Sequence, residues 1–147
     1  MRKALFIDRD GTIIKDVPYS ADPGKIVIYD DAVNIMKDYS GKGYIVVIVT
    51  NQSGINRGYF TVEDLEKFNK VLTGMLESRG VNVNAIYFCP HRPEENCRCR
   101  KPETGMITDA ASELGIDVKN SVMVGDREDM DGELAHRTGM KFILMRH

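Results

Sequence analysis

Tryptophan is absent from this chain, and only three of its 147 residues are cysteine. No apolar run approaches the length of a membrane span. The longest, IVVIV at 45–49, has the length and β-branched character of a buried strand. The apolar stretch ALFI near the N-terminus is too short for a secretory signal and runs directly into Asp8. Strong charge of either sign is lacking too: the formal net charge is −2, so bulk charge favours neither nucleic acid nor an anionic membrane as a partner. Without a secretory signal, three cysteines argue against a disulfide framework. What is present, 42% hydrophobic and 29% charged residues with no repeat or low-complexity segment, suits one soluble domain with its own core. The expectation is a single cytoplasmic domain over 1–147, small enough to act as a monomer.

Apolar runs alternate with helical patterns along the chain. Strands are expected at 3–7, 44–50, 85–89, 121–126 and 141–145. Helices are expected at 31–39, from Thr61 to Gly80, and near 105–114 and 131–138. Thr61 with Asp64 three residues on reads as a capping box. Beyond it Val62, Leu65, Phe68, Leu72, Met75 and Leu76 make one apolar face. Strands alternating with helices imply an α/β fold of three layers, a five-stranded parallel sheet covered on both sides. In such sheets ligands bind beyond the carboxyl ends of the strands, near the point where strand order reverses.

The residues delivered there are Asp8 and Asp10, then Thr50 and Asn51, then the cysteine loop with Lys101, then Asp126. Carboxylates from two strand ends form a hard-oxygen site suited to Mg²⁺. A carboxylate nucleophile, Asp8, would divide phosphate-ester hydrolysis into two easier steps through an acyl phosphate. Asp10 is placed to move the protons. Thr50, Asn51 and Lys101 would hold the transferred phosphoryl group. Each piece alone has a plainer reading, as a solvated turn, a strand cap or a surface lysine. The weight lies in their ordered occurrence, each at a strand end.

The stretch CPHRPEENCRCRKP, 89–102, holds every cysteine: Cys89, Cys97 and Cys99, with His91 among them. Three thiolates and an imidazole with no open position describe a structural Zn²⁺ site. An iron–sulfur cluster fits less well, because histidine replaces the fourth thiolate. Free cysteines, or a disulfide between two of them, are the plain alternatives; Cys97 and Cys99 are too close in sequence to bridge each other comfortably. A closed site cannot act on substrate as a Lewis acid, so such a zinc would fold the loop over 89–101 that carries Arg92, Arg98, Arg100 and Lys101. His136 and His147 read as solvated.

The ordered set FIDRDGT, VIVTNQSG, CRKP and VGDRED resembles the four motifs of the haloacid dehalogenase (HAD) superfamily of phosphohydrolases, across nearly the whole chain. NQSGINRGYFT joined to CPHRPEENCRCRKP is similar to its histidinol-phosphatase and heptose-bisphosphate-phosphatase branch. The resemblance implies a Rossmann-like HAD fold, with Asp8 as nucleophile and Asp10 as general acid/base. It implies Mg²⁺ on Asp8, the Asp10 carbonyl and Asp126, and zinc in the loop. It implies phosphoryl binding by Thr50, Asn51 and Lys101, and substrate contacts from Arg100 and Arg57. The usual supporting acid would fall at Met130, flanked by Asp129 and Asp131, so either could take that part. Between the motifs there is no room for a cap domain, so the expected type is capless. Its open site suits a small phosphorylated metabolite, such as heptose 1,7-bisphosphate or histidinol phosphate. A polynucleotide 3′-phosphate end is the alternative; a non-catalytic zinc-stabilised binding module is a further one.

Overall fold

A computed structural model describes all residues, 1–147. Five parallel strands, β1 (Ala4–Ile7), β2 (Ile45–Asn51), β3 (Ala85–Cys89), β4 (Val122–Gly125) and β5 (Lys141–Leu144), lie in the order β3-β2-β1-β4-β5. Four helices connect them: α1 (Asp30–Gly41), α2 (Val62–Ser78), α3 (Gly105–Leu114) and α4 (Glu133–Thr138). The alternation of side chains along each strand divides the interior into two cores. Leu5, Ile7, Val46, Ile48, Val122 and Val124 face α1 and α2, meeting Ala32, Val33, Met36, Phe68, Leu72 and Leu76. Phe6, Val47, Val49 and Met123 face α3 and α4, meeting Met106, Ile107, Ala110, Leu134 and Ala135. The sheet is therefore the middle of three layers, as the sequence pattern predicts. No helix is long and apolar enough to cross a membrane.

The chain moves outward from β1 to β2 and β3, then crosses to β4 on the other side of β1. That reversal puts the switch point between β1 and β4, where the DRDGT and VGDRED turns leave the sheet. In place of a cap domain, residues between β1 and α1 form a small flap. It is tied by Lys15 N–H to the Val27 carbonyl at 2.9 Å and by Tyr29 N–H to the Ile13 carbonyl at 2.9 Å.

Three details differ from expectation. In α2 the capping box forms, with Thr61 Oγ1 accepting from Asp64 N–H at 3.1 Å and Asp64 Oδ2 accepting from Thr61 N–H at 3.0 Å. Yet Val62 and Met75 are exposed, and Asn69 is buried in the face instead. Val62 is the first helical residue and Met75 lies at the edge of the stripe, whereas 65, 68, 69, 72 and 76 keep the i, i+3, i+4 spacing. Residues Glu128–Gly132 form a π turn before α4, so that helix begins two residues later than its apolar pattern suggests. His147 is exposed as a residue, but its ring is engaged rather than free. Its ring stacks on Tyr29, Nδ1 lies 2.7 Å from Asp31 Oδ1, and Nε2 lies 3.0 Å from the Gly11 carbonyl. His136 is exposed, as expected.

Candidate active site

At the switch point Asp8, Asp126 and Asp131 each offer a carboxylate oxygen within 4.8 Å of the others. The approach is close enough to demand glycine twice. Gly11 has φ +84°, and a Cβ there would strike the Asp126 carboxylate; a Cβ at Gly125 would strike the side chain of Asp131. Asp131, not Asp129, is the second acid. It is 1% exposed and faces the cavity, while Asp129 is spent on a surface pair with Arg127. Both acids lie in the π turn Glu128–Gly132, and of the two only Asp131 is buried there, paired with Lys101.

Lys101 joins these acids into one network. Its ammonium donates to Asp8 Oδ1 at 2.7 Å, to Asp131 Oδ1 at 2.9 Å and to the Val49 carbonyl at 3.1 Å, satisfying all three protons while the side chain is 3% exposed. Burial alone would neutralise this lysine, but the two carboxylates outweigh it and hold its pKa above the ordinary value. Burial likewise raises Asp8 to about 6, against the opposing pull of Lys101. Asp126 is raised by burial and then by Asp8. Three carboxylates against one ammonium leave two formal negative charges, and hard oxygens with that surplus match a divalent cation such as Mg²⁺. Thr12 Oγ1 donates to Asp8 Oδ2 at 3.2 Å and orients it further.

The other expected residues divide by what they touch. Thr50 is buried and lines the same cavity of about 180 Å³ with Asp8, Asp10, Asn51, Arg100, Lys101 and Asp126. Asn51 has its amide committed: Oδ1 accepts from Lys101 N–H at 2.9 Å and Nδ2 donates to the Lys101 carbonyl at 3.3 Å. Its visible work is to clamp the backbone of Lys101 against β2. Arg100 lies on the rim, with Nη1 donating to the His91 carbonyl at 3.3 Å, and burial followed by Arg57 lowers its pKa. Arg57 is exposed, stacked over Tyr19 at 5.2 Å with Nε donating to Ser53 Oγ at 3.1 Å, so it stands behind the cavity wall rather than in it. Arg92 pairs with Glu94, and Arg98 with Asp109, so neither faces the cavity acids.

Sequence reasoning missed the surroundings of Asp10. Arg9 is 1% exposed and forks onto that carboxylate, Nε to Oδ1 at 2.9 Å and Nη2 to Oδ2 at 3.2 Å. Gln52 Nε2 donates to Asp10 Oδ2 at 2.9 Å and to Thr50 Oγ1 at 2.8 Å. The only hint available was the arginine itself, charged yet placed where a strand leaves an apolar core.

The cysteine loop brings all four of its expected donors together, within 4.8 Å of one another. Cys89 and Cys99 appear as a disulfide with Cα atoms 5.6 Å apart, and Cys97 is free. That bond accounts for two of the four groups and not for the convergence of the others. His91 Nδ1 lies 3.4 Å from Cys89 Sγ and 3.3 Å from Cys99 Sγ, and Cys97 Sγ lies 3.6 Å and 3.8 Å from the same sulfurs. Tetrahedral zinc would set donor separations of about 3.5–3.8 Å, so the donor set fits that ion. The loop docks on the start of α3, where Gly105 N–H donates to the Arg98 carbonyl at 2.8 Å and a Cβ at Gly105 would collide with that carbonyl.

Residues 98–147 match the family model described as HAD-hydrolase-like. A Thermoplasma acidophilum protein bearing the name "Probable D-glycero-D-manno-heptose-1,7-bisphosphate 7-phosphatase" is 50% identical over 99% of this chain and 91% of its own length. The D-glycero-beta-D-manno-heptose-1,7-bisphosphate 7-phosphatase of Yersinia pestis is 40% identical over 96% of this chain and 79% of its own. Among solved structures, the D,D-heptose 1,7-bisphosphate phosphatase of B. bronchiseptica, complexed with magnesium and phosphate, superposes with a TM-score of 0.87 at 31% identity. That match covers 97% of this chain and 79% of the other.

Proposed function

This chain belongs to the heptose-bisphosphate phosphatase family of HAD-like hydrolases and is a phosphoric monoester hydrolase, and from that premise we propose how its own residues work and on what. The reading is a Mg²⁺-dependent phosphatase that removes the 7-phosphate of a heptose 1,7-bisphosphate. One observation carries it above the rest: Lys101 bridges Asp8 and Asp131 at 2.7 and 2.9 Å at the switch point, with Asp10 beside them.

An Asp8 oxygen attacks phosphorus, the new P–O bond forming as the ester P–O bond breaks. Asp10 gives its proton to the departing alkoxide. Water then attacks the aspartyl phosphate while Asp10 takes back a proton, and inorganic phosphate leaves. Lys101 and Thr50 stabilise the charge on the transferring group. Asp8, the Asp10 carbonyl and Asp126 would hold the Mg²⁺ with Asp131 as the supporting acid, and the ion when bound offsets negative charge between carboxylates and phosphate. Cys89, His91, Cys97 and Cys99 would hold a structural zinc that keeps Arg100 and Lys101 in place. Arg100, with Arg57 behind it, suits the second phosphate of a bisphosphate.

The arginines do not favour a polynucleotide end. Arg92, Arg98, Arg127 and Arg137 are each paired with an acid, which leaves no continuous cationic groove. A non-catalytic binding module would need none of the Asp8, Lys101 and Asp131 network. The test is phosphate release with Mg²⁺ from heptose 1,7-bisphosphate, histidinol phosphate and a 3′-phosphorylated oligonucleotide. The heptose should lead in kcat/KM by at least about tenfold, the scale of one well-formed charged contact. Equal or better turnover of either competitor would reject the substrate.

A further inference from the structure

Asn69 is an amide on the buried face of α2, 8% exposed, among Leu65, Phe68 and Leu72. A polar group in such a place costs stability unless it is hydrogen-bonded. Its Oδ1 accepts from Arg9 Nη1 at 3.0 Å, and the Arg9 guanidinium lies over the Phe68 ring at 4.3 Å. Arg9 is also wholly buried and spends its remaining edge on both oxygens of Asp10. Two buried polar side chains on different elements thus form a chain, Asn69 to Arg9, that ends on one carboxylate lining the reaction cavity.

The count of acceptor sites gives this arrangement a direction. An ionised carboxylate offers about four lone-pair positions. On Asp10, Oδ2 accepts from both Arg9 Nη2 and Gln52 Nε2, while Oδ1 accepts from Arg9 Nε alone. One position, on Oδ1, is left without a protein donor. We propose that Arg9 and Asn69 are positioning residues that fix the plane of the Asp10 carboxylate and leave Oδ1 as the oxygen that carries the travelling proton. The proposal rests on Asp10 as general acid/base. In the first step the Oδ1–H bond breaks and the proton passes to the ester oxygen as the P–O bond to Asp8 forms and the ester P–O bond breaks. In the second, Oδ1 takes a proton from the water that attacks the aspartyl phosphate. Asn69 touches neither substrate nor Asp10; it holds the guanidinium that holds the carboxylate.

Leaving-group dependence separates this role from a structural one. An alkoxide needs a proton to depart, whereas a dinitrophenolate does not. The experiment compares kcat/KM for two alkyl esters, heptose 1,7-bisphosphate and glycerol 3-phosphate, with that for 2,4-dinitrophenyl phosphate. Asn69→Ala should lose about 10- to 100-fold on the alkyl esters and less than about threefold on the dinitrophenyl ester, the scale expected when a proton donor is misplaced by a fraction of its reach. Asn69→Asp keeps the acceptor oxygen and should recover to within about threefold of wild type. Arg9→Met should show the same selectivity with a larger loss. Even losses on both ester classes, or none on either, would overturn the relay. Asp10→Asn is the control: selective loss there with even loss in Asn69→Ala overturns the relay alone. Even loss in Asp10→Asn overturns the acid/base reading and the relay with it.

Discussion

The acidic cluster at the ends of β1 and β4 and the sulfur cluster at and beyond the end of β3 are the two places where this chain gathers side chains that could hold a metal. They differ in ligand chemistry and in what holds them. In the acidic cluster, hard oxygens come from Asp8 and Asp126 beside two strand ends and from Asp131 in the π turn, with a lysine locked among them and open cavity beside. Apart from Cys89, the last residue of β3, the sulfur cluster sits in irregular chain with one 3-10 turn at Pro93–Glu95, and its four donors converge on one another, with the Arg100 N–H on Cys97 Sγ. The acids have an outside face on which substrate can bind, so their cluster can do chemistry. A closed set of four donors can only brace. The two are joined by two residue steps: Cys99, on the brace, is two positions from Lys101, in the site.

That contrast is open to attack, beginning where the effect should be greatest. Asp8→Asn should reduce p-nitrophenyl phosphate turnover by more than about 10³-fold with the fold intact, since a nucleophile is not replaced by its amide. Turnover near the wild-type level would remove Asp8 from the centre of the site. Lys101→Met should cost both activity and stability. Breaking a buried ion pair by removing one partner costs about 3–5 kcal/mol, because the Asp8 and Asp131 carboxylates are left without their cation. Urea unfolding in the absence of Mg²⁺ measures it, and added Mg²⁺ should return part of the loss.

Cys97→Ser tests the brace. Zinc content, read by metal analysis, should fall from about one per chain and the melting temperature should drop, with kcat reduced by less than about tenfold provided the loop still folds. If kcat fell as far as in Asp8→Asn while zinc and stability were unchanged, the division of labour would be wrong. The smallest effect belongs to Arg98→Ala. Arg98 sits in the brace between two cysteines but pairs with Asp109 at the surface, so turnover and melting temperature should be indistinguishable from wild type. A clear loss of substrate affinity would show that the loop delivers more than Arg100 and Lys101.

The residues that were legible beforehand share a property: their signal is local. Strand and helix periods run over five to ten neighbours, as in YIVVIVT, and DRDGT or CRCRK keep their chemistry within one turn. Where the reading fell short, the deciding contact spans the chain. Asp131 and Asp129 are equivalent by spacing; burial and a lysine 30 positions earlier separate them. Asn51 reads as a phosphate ligand from its place at the end of β2, but its amide is spent on Lys101, 50 residues on. Asn69 is not among the residues the sequence assigns to the apolar face of α2, while Met75 is. Only the position of Arg9, 60 residues away, gives the buried amide a partner. His147, at the exposed end of the chain, is held by Tyr29 and Asp31, more than a hundred residues upstream.

By itself, then, the sequence determined the layered α/β architecture, the strand ends that carry acids, and the pairing of an oxygen-rich site with a sulfur-rich loop. These follow from side-chain periodicity and ligand type, which are written residue by residue. The tertiary structure decided which acid stands second, how Lys101 is held, and which groups grip Asp10. Those depend on crossing the sheet between β1 and β4 and on docking α2 against the strand ends. A buried polar group takes whatever partner the packing brings within hydrogen-bond reach, and sequence distance sets no limit on that choice.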